Sequence, residues 1–170
     1  MLVPDPFQPE QLLGALARHG VDYVLIGGLA ANLHGSSALT NDADICPDPH
    51  HENLDRLAAA LHEMQARIRT DAEPEGLPFA CDVDFLSRMR LVNLTTQFGD
   101  FDVAFEPAGT DGYRDLAAHA IDFDIDGITV RVAALSDIIR SKETANRPKD
   151  RATLPILYAL QDEIAERENR

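Results

Sequence analysis

Gly27 and Gly28 end an apolar run, Tyr23 to Ile26, and open a helix-like segment; Asp42-Ala43-Asp44 starts the next strand-like stretch, and Asp102 lies on a later one. Two adjacent glycines let backbone approach a ligand closely. The helix that follows turns unpaired N–H groups and the positive end of its dipole toward an anion, which suits a phosphate. Side chains alternate across a strand, so Asp42 and Asp44 project to one face, where two carboxylates can jointly hold a hard divalent cation. Asp102 would complete a two-metal site if its strand lies beside theirs. There one metal neutralises a polyphosphate, a second lowers the pKa of an attacking hydroxyl, and the third carboxylate can also serve as general base. Taken singly, two glycines are commonly a turn and Asp-x-Asp is commonly a solvated strand face. Their order and their strand-turn-helix context favour the site.

Other clusters read differently. Asp82-Val83-Asp84 repeats the acid spacing on an expected strand but lacks a preceding glycine turn. Asp100 stands beside Gly99, where a local backbone hydrogen bond is its expected role. Asp122, Asp124, Asp126 and Gly127 mimic the start of a calcium loop, yet the twelfth position is Ala133 where a bidentate Glu is required, so a hairpin with an acidic face is expected. His34, His50, His51 and His62 with Cys46 lack zinc-ligand spacing apart from the adjacent His50 and His51.

The elements that must position the site alternate between helix and strand. Helices are expected over Gln8 to His19, ending at Gly20, over Leu29 to Leu33, and over His51 to Ile68. Strands are expected over Tyr23 to Ile26, Ala43 to Cys46, Ala80 to Leu86, Leu91 to Thr96 and Phe101 to Phe105, the last two joined at Phe98-Gly99-Asp100. Thr70 to Pro78 reads as a surface loop. A helix near Tyr113 to His119 precedes a hairpin of Ile121 to Ile125 and Ile128 to Val132, and the close is helical over Leu135 to Ala145 and, after a break at Pro148, Ala152 to Arg167. Hairpins mixed with one strand-turn-helix unit predict an α+β fold, a mixed sheet with helices packed on it. The length suits one domain over residues 1–170, with a core over about 8–135 and a helical part over about 135–168.

With 29 acidic against 15 basic side chains the formal charge is −14, which repels polyanions at long range and argues against general nucleic-acid coating. The charge is uneven. Residues 131–151 hold 6 basic and 3 acidic groups, and the chain's two lysines, Lys142 and Lys149, both lie there. This island is either a helix C-terminus whose cations offset the dipole or a clamp on a triphosphate or base, and the concentration of lysine favours the clamp. No apolar run reaches the ~20 residues of a bilayer span. Met1 to Pro9 carries acid and proline rather than a secretion signal, and two widely spaced cysteines suggest a reducing compartment, so a cytoplasmic location is expected.

Five segments together resemble the nucleotidyltransferase-fold superfamily. They are Ile26-Gly27-Gly28, His34-Gly35, Thr40-Asn41-Asp42-Ala43-Asp44-Ile45, Thr95 to Asp102, and Lys142 to Asp150. More narrowly they are similar to bacterial single-domain members related to the toxin of AbiE toxin–antitoxin systems. The resemblance implies a twisted sheet flanked by helices, magnesium on Asp42 and Asp44, Asp102 as third carboxylate, and the triphosphate of an NTP such as ATP on Gly27 and Gly28. Lys142, Arg147 and Lys149 would help hold the nucleotide, although Ala145 to Arg147 is a shorter spacing than the family's. Asp150 matches the first acid of an Asp-x-x-Asp motif whose second position here is Thr153, and Ser36-Ser37-Ala38-Leu39 stands where relatives often carry a cation. The implied activity is NMP transfer to an acceptor hydroxyl, on an RNA or tRNA end or a protein side chain, with an antitoxin-like protein as partner. Two alternatives are a non-catalytic nucleotide-binding or toxin–antitoxin interaction module and a small-molecule (antibiotic) nucleotidyltransferase.

Overall fold

The computed structural model describes residues 6–170, so the first five residues of the acid-and-proline N-terminus lie outside it. The chain begins with α1 (Pro9–Arg18), where Pro9 suits a helix start, Leu12, Leu13 and Leu16 turn inward, and Gly20 closes the exit at φ +64°. Next come β1 (Tyr23–Ile26) and α2 (Gly27–His34), joined with no intervening loop, then β2 (Asp42–Pro47) and α3 (His51–Glu63). Short β3 (Arg67–Ile68) and α4 (Val83–Ser87) flank the acidic loop, and the hairpin β4 (Leu91–Thr96) and β5 (Gly99–Ala104) follows. After α5 (Tyr113–Ala117), the hairpin β6 (Ile121–Ile125) and β7 (Ile128–Val132) leads to α6 (Leu135–Ala145) and α7 (Pro148–Glu168).

The strands form one mixed sheet in the order β3-β4-β5-β2-β1-β7-β6. β2 runs antiparallel to β1 but parallel to β5, and β7 joins β1 in parallel. The register between β2 and β5 sets Asp42 opposite Asp100 and Asp44 opposite Asp102. Because alternate residues share a face, Asp42, Asp44 and Asp102 are gathered on one side while Ala43, Ile45, Phe101 and Val103 point into the core and are wholly buried.

The α+β expectation and its mixed sheet hold, with differences at several elements. The segment Ala80 to Leu86 is not a strand. Asp82 accepts a hydrogen bond from Phe85 N–H at 2.8 Å and so caps α4, placing Asp82 and Asp84 at a helix start away from the sheet. α3 stops at Glu63, and Gln65 at φ 55° turns the chain so that Arg67 and Ile68 pair with β4. Pro148 begins α7 rather than breaking a helix, as the first-turn position tolerates its missing N–H. Asp122, Asp124 and Asp126 lie on the β6–β7 hairpin, with Asp124 accepting from Gly127 N–H at 2.9 Å. No described helix is long and apolar enough to cross a membrane.

Candidate active site

The glycine pair and the first two acids are built into one another. Gly27 has φ +72°, and a Cβ there would fall onto the Asp44 carboxylate; a Cβ on Gly28 would come within 2.9 Å of Thr40 Oγ1. Thr40 Oγ1 in turn donates to Asp42 Oδ1 at 3.1 Å. The absence of side chains at both positions therefore lets α2 start directly over the acids. At the far end of α2, His34 Nε2 lies 2.8 Å from Ala133 O and its ring meets Phe123 edge-on, so this histidine ties the helix to the β6–β7 hairpin.

One oxygen from each of Asp42, Asp44 and Asp102 lies within 4.8 Å of the others, and this is the one such group of metal-ligating side chains among the described residues. The histidines and Cys46 do not assemble into a second. Burial, then the like charges of Asp42 and Asp102, push the Asp44 carboxyl up to about 8. Burial also raises Asp102, and the guanidinium of Arg69 pulls it part of the way back. Three acids held this close and this dry fit a hard divalent cation such as magnesium, whose charge would remove the cost of ionising all three.

The opposite wall comes from the α6–α7 corner. Asn146, left-handed at φ 50°, ends α6 and allows the immediate start of α7. The corner brings Lys142 from the last turn of α6 together with Arg147 and Lys149 on a cleft of about 580 Å³ that also contains Gly27, Gly28 and the three acids. Lys142 is where a cation offsets a helix dipole. Lys149 is not: it sits in the first turn of α7, where a cation opposes the dipole, so compensation does not account for it. Its charge acts on Asp44. Arg147 is held charged by its bond to Asp150 and then by the fields of Asp44 and Asp102.

Asp150 is completely buried. Its Oδ2 accepts from Arg147 Nε at 2.8 Å and from Arg147 N–H at 3.0 Å, and Lys142 Nζ lies 3.5 Å from Oδ1. Burial alone would raise its carboxyl; the Arg147 bonds and the Lys142 charge overcome this and hold it below the ordinary carboxylate range. Asp150 thus aims two of the three cations and is not one of the three clustered acids. Asp137, buried in the same cleft, is committed to Arg140 at 3.1 Å and His119 at 3.2 Å.

Sequence reasoning missed Arg69. Its Nη2 donates to Asp102 Oδ1 and its Nη1 pairs with Asp100 Oδ2, each at 2.9 Å. Asp100 is therefore part of this ion-pair group rather than the turn residue expected. The two partners are 33 residues apart, Arg69 to Asp102, and nothing in the spacing of either announces the other.

No protein-family model matches the sequence, and no curated protein matches it. Solved structures do match its fold. The lincomycin-bound lincosamide adenylyltransferase LnuA superposes with a TM-score of 0.60 at 12% identity, over 91% of this chain and 99% of LnuA. ANT(2'')-Ia, solved with adenylyl-2''-tobramycin, gives 0.54 at 15% identity over 94% of this chain and 96% of its own. TM1012 of Thermotoga maritima, described as a candidate nucleotidyltransferase, gives 0.54 at 15% identity over 88% and 92%. The architecture is that of the nucleotidyltransferase fold.

Proposed function

We propose that this chain transfers a nucleoside monophosphate from an NTP to an acceptor hydroxyl. The observation that carries the reading is the convergence of Asp42, Asp44 and Asp102 within 4.8 Å directly beneath the Gly27–Gly28 helix start. The N-terminus of α2 and the cations Lys142, Arg147 and Lys149 bind the triphosphate from two sides. Asp42, Asp44 and Asp102 would hold magnesium, which when bound supplies neutralisation of the phosphate and a lowered pKa for the acceptor hydroxyl. The acceptor oxygen forms a bond to the α-phosphorus, the bond from that phosphorus to the bridging oxygen breaks, and pyrophosphate leaves. Asp102 receives the hydroxyl proton.

Two acceptor classes have support. The basic α6–α7 corner suits an RNA end, and in a toxin–antitoxin setting the −14 charge would suit an antitoxin-like protein with a basic surface. A cleft of about 580 Å³ and the likeness to two antibiotic adenylyltransferases suit a small polar molecule equally. The experiment supplies each NTP, labelled on the α-phosphate, with magnesium and a cell extract or a panel of aminoglycosides and lincosamides, then treats the products with RNase or protease. The expected result is label that needs an intact Asp44, with Asp44→Ala slower by at least ~10³, about 4 kcal/mol of barrier. The digestion that removes it, or the added compound that acquires it, names the acceptor. Absence of label throughout, with NTP bound, would favour a non-catalytic nucleotide-binding module.

A further inference from the structure

Three carboxylates in mutual reach repel one another and have little water to dilute the repulsion. Asp102 meets Asp44 through a hydrogen bond between the two carboxyls, and on its other side it is gripped by Arg69. Its guanidinium is fixed to the sheet by Nη1, which donates to Leu94 O at 3.1 Å, and its backbone N–H donates to Asn93 O at 2.9 Å. From that anchor the two arms of the fork reach over β4 to Asp100 and Asp102, neighbours on one face of β5. Asp102 Oδ1 is thereby engaged by Arg69. The Arg69 side chain is largely shielded from water, at 23% exposure, so the pair is not a mobile surface contact.

We propose that Arg69 is a positioning residue for the metal site: it sets the rotamer of Asp102 and keeps the three acids assembled before a cation arrives. The proposal rests on the metal-dependent reading above. Arginine suits the task because its planar fork grips two carboxylates in a fixed geometry, which the single ammonium of lysine cannot reproduce. Groups behind a metal ligand typically change metal affinity by ~10–100-fold when removed.

The test measures Mn²⁺ binding to the EDTA-treated full chain by calorimetry and electron paramagnetic resonance, with folding checked by circular dichroism. Arg69→Ala is expected to weaken Mn²⁺ by at least ~10-fold, and Arg69→Lys to recover only part of that loss. Asp100→Asn, which removes the charge from the outer arm and leaves the Asp102 arm, is expected to stay within about twofold of wild type. Binding by Arg69→Ala equal to or tighter than wild type overturns the proposal. An equal loss in all three variants also overturns it, because the effect would then be docking of the loop. Should Arg69→Ala not fold, Arg69→Lys against Asp100→Asn decides by the same criterion. Wild type that binds no Mn²⁺ removes both this inference and the metal-dependent function. Wild type that binds Mn²⁺ but labels no acceptor removes only the transfer reading, since the variant affinities still decide the role of Arg69.

Discussion

The Asp44 carboxyl carries a pH signature. Its ordinary value is 3.8 and burial with two like-charged neighbours takes it to about 8, so across that interval the folded chain holds a proton that the unfolded chain has released. Stability from this group is therefore complete below pH 3.8 and is lost as pH rises through about 8. A cation needs the ionised form, so it must displace the proton at low pH but not at high pH. Magnesium is expected to raise the melting temperature more at pH 8.5 than at pH 6, and Asp44→Asn to abolish the difference. A magnesium effect independent of pH in wild type would argue against Asp44 as ligand. Gly27→Ala should act on the same site, because both its positive φ and its Cβ collide with the Asp44 arrangement. Mn²⁺ titration of that variant is expected to show weakened binding. Asp150→Ala removes a buried acceptor from Arg147 and Lys142, and chemical denaturation should record a loss of about 1.5–3 kcal/mol.

Among the elements, the β1–α2 junction and the α6–α7 corner face each other across the cleft. Each is a chain reversal with almost no loop, so their side chains have little freedom relative to the sheet. The β2–α3 connection is fixed differently. Asn53, buried in α3, accepts from Asp22 N–H at 2.7 Å and donates to Asp22 O and Asp48 O, both at 2.8 Å. Removing it strands three backbone groups. Asn53→Ala should cost about 1–3 kcal/mol in urea denaturation. Because β2 itself is paired on both sides, Mn²⁺ affinity should change little, and a large loss there would mean that α3 helps hold the acids in place.

For the whole molecule, the decisive property is a short basic wall in a chain of charge −14. That charge repels RNA at long range, so an RNA acceptor would have to rely on the cations of the corner. Were RNA the acceptor, its affinity should fall only shallowly with salt, because a slope near −0.7 per phosphate for single strands allows about −2 for three cations. Filter binding across a salt series measures the slope. A slope steeper than about −4 would demand cations outside the cleft.

What the amino-acid order determined by itself is chiefly what depends on near neighbours. The Gly27–Gly28 turn, the Asp42 and Asp44 alternation, the β4–β5 and β6–β7 hairpins and the clustering of Lys142 and Lys149 are all local periodicities or local composition, and each was legible. Asp102 is singled out by the family resemblance and by lying on an expected strand, not by any local signal that it neighbours Asp44. Only the tertiary structure decided the β2–β5 register that sets Asp102 beside Asp44, since strand pairing across some sixty residues leaves no local mark. The alternation around Asp82 and Asp84 suits a strand over Ala80 to Leu86 and equally a capped helical turn, and the hydrogen bond from Phe85 N–H to Asp82 decides for the turn. Arg69 and Asp150 were the hardest cases. A charged side chain gains its role from the opposite charge it meets, and in Arg69 that meeting is made by the sheet, not by the spacing of residues.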